Sequence, residues 1–169
     1  AGSRIVMQMH YNVLNYEGTP PPDRTKVGLW TLPSGTTPEY LVEILPYPHL
    51  GIEIPPHEAS WTESQDFPVP DGGRIIAVTP HMHTLGREIR VDLLDGDESQ
   101  CLINIPDWDF NWQQAYGFPE DSYIHTEADH MVRLTCTYDN SVENQPVVNG
   151  EQQDPKLVTW GDGTRDEMC

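Results

Sequence analysis

The sequence has 169 residues, the size of one domain, and 9 Lys+Arg against 27 Asp+Glu give it a formal net charge of −18. A field of this sign repels nucleic acid and anionic lipid, which excludes both as partners. The chain contains no apolar run of about 18 residues, which excludes a membrane-spanning helix, and it shows no secretion signal. We expect a mature product, an excised fragment or part of a longer chain.

Short apolar segments bounded by turn residues recur along the chain, which holds 16 prolines and 13 glycines. Such segments are typical of β-strands, and no long segment has helical periodicity. The pattern therefore predicts an all-β fold, an antiparallel β-sandwich or jelly roll. The predicted strands are 4–11, 27–32, 40–45, 74–79, 88–94, 101–105, 123–128, 130–138 and 156–160.

Polar and glycine-containing segments predict the turns and loops between these strands. Asp95-Gly96 separates two apolar runs and predicts a β-hairpin. Two polar segments, 15–26 and 140–155, are expected to be long loops, and the second is either disordered or lies over a site.

The stretch VTPHMHTLG (78–86) contains two histidines one residue apart. In a strand, side chains at positions i and i+2 leave the same face, so His81 and His83 would point the same way. Two such imidazoles can bind one metal ion, although seven histidines in the chain make a chance H-x-H pair common. A surface or hydrogen-bonded pair remains the alternative.

A third ligand would have to come from elsewhere. Met168 lies in the polar segment WGDGTRDEMC (160–169), where core packing explains a methionine poorly. Its thioether is a soft ligand that favours copper(I). The other histidines have no partner at ligand spacing and are interpreted as structural or surface residues, including His10 in the segment RIVMQMHY.

The three cysteines, Cys101, Cys136 and Cys169, form no CxxC pair, which makes a thiolate zinc site a poor interpretation. The odd number permits one disulfide and one free thiol. The sequence motifs of serine hydrolases and phosphate-binding loops are absent.

Four blocks together resemble the copper type II, ascorbate-dependent monooxygenases, the family of the peptidylglycine α-hydroxylating and dopamine β-monooxygenases. They are QMHYN (8–12), PHMHTLGREIRV (80–91), CTYDN (136–140) and TRDEMC (164–169). The Pro80 and WGDGTRDE features resemble the bacterial branch of that family.

The resemblance implies two β-sandwich halves with one copper each. It assigns the oxygen-activating copper of the C-terminal half to His81, His83 and Met168, and it makes His10 a ligand of the second copper, in the N-terminal half. Residues 1–12 would then be the last strand of an N-terminal copper domain absent from this chain, and residues 13–169 the C-terminal copper domain. One copper is expected here and two in a full-length enzyme.

The resemblance also implies a Cys136–Cys169 disulfide, with Cys101 as the free thiol, and hence a secreted or periplasmic location. The activity implied is hydroxylation of a C–H bond of a small molecule or peptide, with oxygen and ascorbate as reductant. A carboxylate such as Glu167 is expected to orient a ligand imidazole or a water. Thr79 stands where peptide-amidating members have an arginine, which argues against carboxylate recognition by that route.

Two alternatives stay open. The chain could be a non-catalytic, copper-binding or structural β-sandwich of a larger extracellular assembly. A zinc hydrolase would instead need an acidic base beside a histidine-rich site.

Overall fold

The computed structural model describes residues 4–7, 9, 11, 18–148 and 150–169. The chain forms two units, Ala1–Glu43 and Ile44–Cys169. Within the described residues, no helix is long and apolar enough to cross a membrane.

The first unit contains neither helix nor strand in its described part. Its local order centres on Asp23, which accepts hydrogen bonds from the Tyr11 hydroxyl at 2.7 Å and the Thr25 amide at 2.9 Å. A further bond from the Thr25 hydroxyl is the main cause that lowers the pKa of Asp23 to about 2, and the bonds from Tyr11 and the Thr25 amide act in the same direction.

The second unit is built almost entirely of strands. Its elements, in chain order, are β1 (Glu53–Ile54), β2 (Trp61–Pro68), β3 (Arg74–Ile75), β4 (Ala77–Val78), β5 (Gly86–Asp95), β6 (Glu98–Ile105), β7 (Tyr116–Gly117), a 3₁₀ helix (Glu120–Ser122), β8 (Ile124–His125), β9 (Met131–Tyr138), β10 (Val147–Val148), β11 (Glu151–Gln152) and β12 (Val158–Thr159).

The long strands form one antiparallel sheet in the order β2–β9–β5–β6. Strand β9 pairs with β2 from Trp61↔Tyr138 to Pro68↔Met131. The short strands pair as β1–β12, β3–β8, β4–β7 and β10–β11, and all of these pairs are antiparallel.

Alternation along β9 shows which side of the sheet is buried. Val132, Leu134, Cys136 and Tyr138 are buried, and the intervening residues are more exposed. They share one core with Ile54 of β1 and other residues of the short strands, namely Val158, Ile75, Val78 and Ile124. The main sheet and the short pairs thus enclose a common core, which makes the domain an all-β antiparallel sandwich, as the sequence predicts.

Several predicted elements are confirmed. The segments 88–94, 101–105 and 130–138 fall within, or within one residue of, β5, β6 and β9. The hairpin at Asp95-Gly96 joins β5 to β6, and Gly96 adopts a φ of 55°, which glycine tolerates best.

Other strand predictions are wrong. Residues 27–32 and 40–45 lie in no strand, nor do the described residues of 4–11, and side chains such as Trp30 and Leu41 are 95% and 88% exposed. An apolar segment forms a β-strand only if another strand pairs with it, and the residue pattern within the segment does not show whether such a partner exists.

The lengths of the shorter strands also differ from prediction. The segments 74–79, 123–128 and 156–160 contribute only two-residue strands, while β2 was missed because five of its eight residues are polar. The predicted loop 140–155 contains the β10–β11 pair.

Candidate metal centre

The H-x-H pair lies in the connection between β4 and β5 and not in a strand, contrary to the premise of the sequence argument. The two imidazoles nevertheless approach each other, with ring centroids 5.1 Å apart and planes at 89°. Met82 between them is fully buried, so it anchors the segment in the core.

Gly86 completes this anchor at the start of β5, where it pairs with Tyr138 of β9. A Cβ at Gly86 would lie 2.9 Å from Cδ1 of Trp108 and would also collide with Met82. The glycine is therefore required for the core to close beneath the two histidines.

The His81 ring is oriented by Gln113, whose Oε1 is hydrogen-bonded to Nδ1. The amide of Gln113 is itself fixed, because its Nε2 donates to the Phe110 carbonyl at 2.6 Å. Since an amide oxygen can only accept, Nδ1 of His81 carries the proton.

The His83 ring is oriented by the C-terminal segment. Its Nδ1 lies 3.0 Å from the carbonyl oxygen of Asp166, so this nitrogen must also donate. Phe110 packs edge-on against the ring, with centroids 6.0 Å apart. His83 is 5% exposed.

In its neutral form, each imidazole therefore keeps the Nε2 lone pair, which is the electron pair that binds a metal ion. Burial lowers the pKa of His81, the Gln113 hydrogen bond opposes that shift, and a charge on His83 would lower the pKa further. Although part of the His81 side chain is exposed, this direction favours the neutral, ligating form.

Glu167 holds the C-terminal segment against the H-x-H segment. Its side chain is fully buried and accepts hydrogen bonds from the amides of Leu85 at 2.6 Å and His83 at 2.9 Å. Burial raises the pKa of Glu167 to about 7, while these amide bonds act to lower it. The carboxylate thus orients backbone, whereas the expectation was an imidazole or a water.

Met168 is half-buried and follows Glu167 directly. Its carbonyl accepts a hydrogen bond from the Tyr138 hydroxyl at 3.2 Å, and Tyr138 is fully buried. The next residue, Cys169, forms a disulfide with Cys136 of β9, the pairing that the resemblance implies. Residues 166–169 are therefore fastened to both the H-x-H segment and the main sheet.

The structure brings His81, His83 and the backbone of 166–168 together, and it adds partners that the sequence argument missed. Gln113 and Phe110 lie in DWDFNWQQAYGF (107–118), where Trp108 is buried and a turn follows it. Nothing in the local pattern indicated that Gln113 of this segment reaches His81, 32 positions away.

Three sequence predictions concern residues outside this site. His10, the predicted ligand of a second copper, lies outside the described residues, as does the predicted domain boundary between residues 12 and 13. Cys101 is exposed and takes part in no disulfide.

The remaining described histidines include two that face carboxylates. His49 Nε2 lies 3.7 Å from Glu63, and His130 Nε2 lies 3.8 Å from Asp95. His130 also groups with Glu127 and Asp129, but its Nδ1 accepts a hydrogen bond from the Glu127 amide at 3.3 Å. Its proton is then on Nε2, which makes it a hydrogen-bonded structural residue.

Comparison with known protein families shows the family to which this chain belongs. Residues 51–169 match the model of the copper type II ascorbate-dependent monooxygenase, C-terminal domain. The chain belongs to this monooxygenase family. The matched range covers the whole main sheet, the H-x-H pair and the C-terminal disulfide.

A curated human relative of this monooxygenase domain is "DBH-like monooxygenase protein 1" from Homo sapiens. It is 28% identical over 146 residues, which cover 85% of this chain. The chain spans only 21% of the length of that relative.

Proposed function

We propose that this chain is the C-terminal domain of a copper-dependent monooxygenase that hydroxylates a C–H bond with oxygen and an ascorbate-type reductant. The observation that carries the proposal is the hydrogen bonding of the H-x-H pair. Gln113 and the Asp166 carbonyl occupy both Nδ1 atoms, so both Nε2 lone pairs are available to one ion. Membership of the family supports copper as that ion.

The donor set fits copper. Imidazole nitrogen binds several transition metals, whereas a thioether favours copper(I), so we assign the oxygen-activating copper to His81, His83 and Met168. Bound copper would supply one-electron chemistry to oxygen. We further propose that a second copper belongs to a preceding domain and that His10 is one of its ligands.

The residues around the ligands have separate tasks in this proposal. Gln113 and the Asp166 carbonyl hold the rings in one tautomer and one orientation. Glu167, Tyr138 and the disulfide hold the backbone of residues 166–169, so that Met168 is presented from a fixed segment. Phe110 packs against the His83 ring with the two planes nearly perpendicular, which restricts rotation of the imidazole.

The substrate is proposed to be a small molecule or a peptide recognised without a carboxylate clamp at position 79, since Thr79 has no charge. The disulfide supports a secreted or otherwise extracytoplasmic location, because such bonds persist in oxidising compartments.

A non-catalytic copper-binding module is the second candidate. It is consistent with the same geometry, since two oriented imidazoles can hold copper whether or not oxygen is activated there. Oxygen uptake by a longer product of the same gene, containing the preceding domain, separates the two candidates. Ascorbate-dependent uptake supports the enzyme, and copper binding without uptake supports the module.

The ligand assignment is tested on the 169-residue chain loaded with copper(I). X-ray absorption should detect one sulfur neighbour of copper, and Met168→Leu should remove it. Met131→Leu is the matched control, because Met131 is also half-buried but lies at the end of β9. A sulfur signal that persists in Met168→Leu contradicts the assignment of Met168.

A further inference from the structure

Most lysine and arginine side chains of the second unit have an interaction partner, but two of them form no ion pair. Arg87, Arg90 and Arg133 each form an ion pair with an aspartate, and Arg74 has an interaction of its own. Among the described residues of this unit, that leaves Lys156 and Arg165, which take part in no ion pair. In a chain of net charge −18, unpaired cations are unexpected, because Asp and Glu together outnumber Lys and Arg threefold.

Both of these cations line the same cavity, which has a volume of about 150 Å³. The other lining residues are Thr84, Leu85, Gln145, Pro146, Gln153, Asp154 and Val158. Asp154 is the one acidic residue among them, so the lining has a net positive charge within a strongly negative protein.

The cavity adjoins the H-x-H segment, because Thr84 lines it and directly follows His83. The Thr84 hydroxyl donates to the Thr164 carbonyl at 3.2 Å, which fixes the backbone just before Arg165. The backbone of Lys156 is fixed from the other side, since its carbonyl accepts a 2.8 Å hydrogen bond from Asn140, a fully buried residue.

We propose that Lys156 and Arg165 form a binding site for a small organic anion beside the H-x-H segment. The cavity is smaller than the roughly 300–1,000 Å³ of sites for drug-sized ligands, so it suits a small anion or the charged end of a larger molecule. Ammonium and guanidinium groups are the usual partners of carboxylate-type oxygens. Two kinds of ligand carry such an anionic group: a reductant of the ascorbate type, and a substrate with a carboxylate.

The proposal that the site binds an anion does not depend on copper. The proposal that this anion is the reductant rests on the proposed function. The first measurement is therefore made on the metal-free, 169-residue chain with acetate as the probe, at low ionic strength, by amide chemical shifts in NMR. We expect saturable shifts at Thr84, Lys156 and Arg165. Lys156→Gln and Arg165→Gln should each weaken binding about fivefold, the scale of one partly exposed ion pair.

Lys26→Gln is the control, because it removes the same charge from the exposed first unit. It should leave acetate binding unchanged. Equal affinity of acetate for the wild type and the Lys156→Gln/Arg165→Gln double variant, or the absence of saturable shifts in a folded protein, overturns the proposal.

The second measurement identifies the source of the anion. The copper(II)-loaded chain is reduced by ascorbate or by hydroquinone, which is uncharged at neutral pH, and loss of the copper(II) EPR signal is followed in time. Slower reduction of the double variant by ascorbate alone assigns the site to the reductant. Weakened acetate binding with unchanged reduction assigns it to a substrate carboxylate. Failure of the chain to bind copper refutes the proposed function and leaves the NMR result standing.

Discussion

The imidazoles of His83 and His130 are 5% and 9% exposed, and each makes a hydrogen bond through Nδ1, but the two bonds have opposite polarity. At His83 the partner is the Asp166 carbonyl, so Nδ1 donates and Nε2 keeps its lone pair. At His130 the partner is the Glu127 amide, so Nδ1 accepts and Nε2 carries the proton towards Asp95.

This difference teaches that burial and nearby carboxylates do not identify a metal ligand. His130 has three carboxylates around it, yet its tautomer directs a proton to one of them. His83 faces a neutral carbonyl, which leaves the nitrogen on the opposite side of the ring free for an ion.

The largest expected effect comes from removing the disulfide that holds the Asp166 carbonyl in place. Cys169→Ser opens a bridge between residues 33 positions apart, for which the chain-entropy model gives about 3–4 kcal/mol of unfolding free energy. Urea denaturation of the oxidised wild type and of the variant measures this. Copper affinity should also fall, because the acceptor for His83 Nδ1 is then held less firmly.

Cys101→Ser is the control, since Cys101 is exposed and unbridged, and it should leave the free energy of unfolding within about 0.5 kcal/mol of the wild type. Equal stability of Cys169→Ser and Cys101→Ser would contradict the role assigned to the bridge.

The next effect compares the two histidines directly. His83→Ala should reduce copper(II) affinity by more than about 100-fold. Loss of a residue that only hydrogen-bonds a metal ligand typically lowers metal affinity about 10–100-fold, and loss of the ligand itself should cost more. His130→Ala should leave copper affinity unchanged. Competitive titration with a chromophoric chelator measures both, and comparable losses in the two variants would break the distinction between the sites.

A smaller effect is expected at Gln113. Gln113→Leu removes the acceptor of His81 Nδ1 and frees the ring to change tautomer, so copper affinity should fall about 10–100-fold. Gln113→Glu restores an acceptor at that atom and should recover most of the loss. A similar affinity in Gln113→Leu and wild type would mean that His81 needs no outer partner.

The smallest effect is expected at the carboxylate facing His130. Asp95 is largely exposed, so Asp95→Asn should cost less than about 1 kcal/mol of unfolding free energy and should not change copper affinity. Thermal unfolding and the chelator titration check the two values. A clear loss of copper in this variant would make the His130 cluster a metal site after all.

The central strands could be predicted from sequence because their apolar residues alternate with the period of a half-buried strand. Residues 130–138 illustrate this, and β9 follows them closely. The predicted strands at 27–32 and 40–45 failed because alternation within a segment gives no information on whether another strand pairs with it. Strand β2 was missed because its half-buried face includes Glu63 and Gln65 beside Trp61 and Phe67.

The sequence by itself determined that the chain is acidic, that its fold is all-β, and that two histidines one residue apart precede a Leu-Gly pair. It also carried the family resemblance, since motif order and spacing are properties of the chain. Only the tertiary structure decided which nitrogen of each imidazole is free and which cations share a cavity. The acceptors at Nδ1 belong to residues 32 and 83 positions away, and hydrogen-bond polarity at such separations depends on how the backbone folds back on itself.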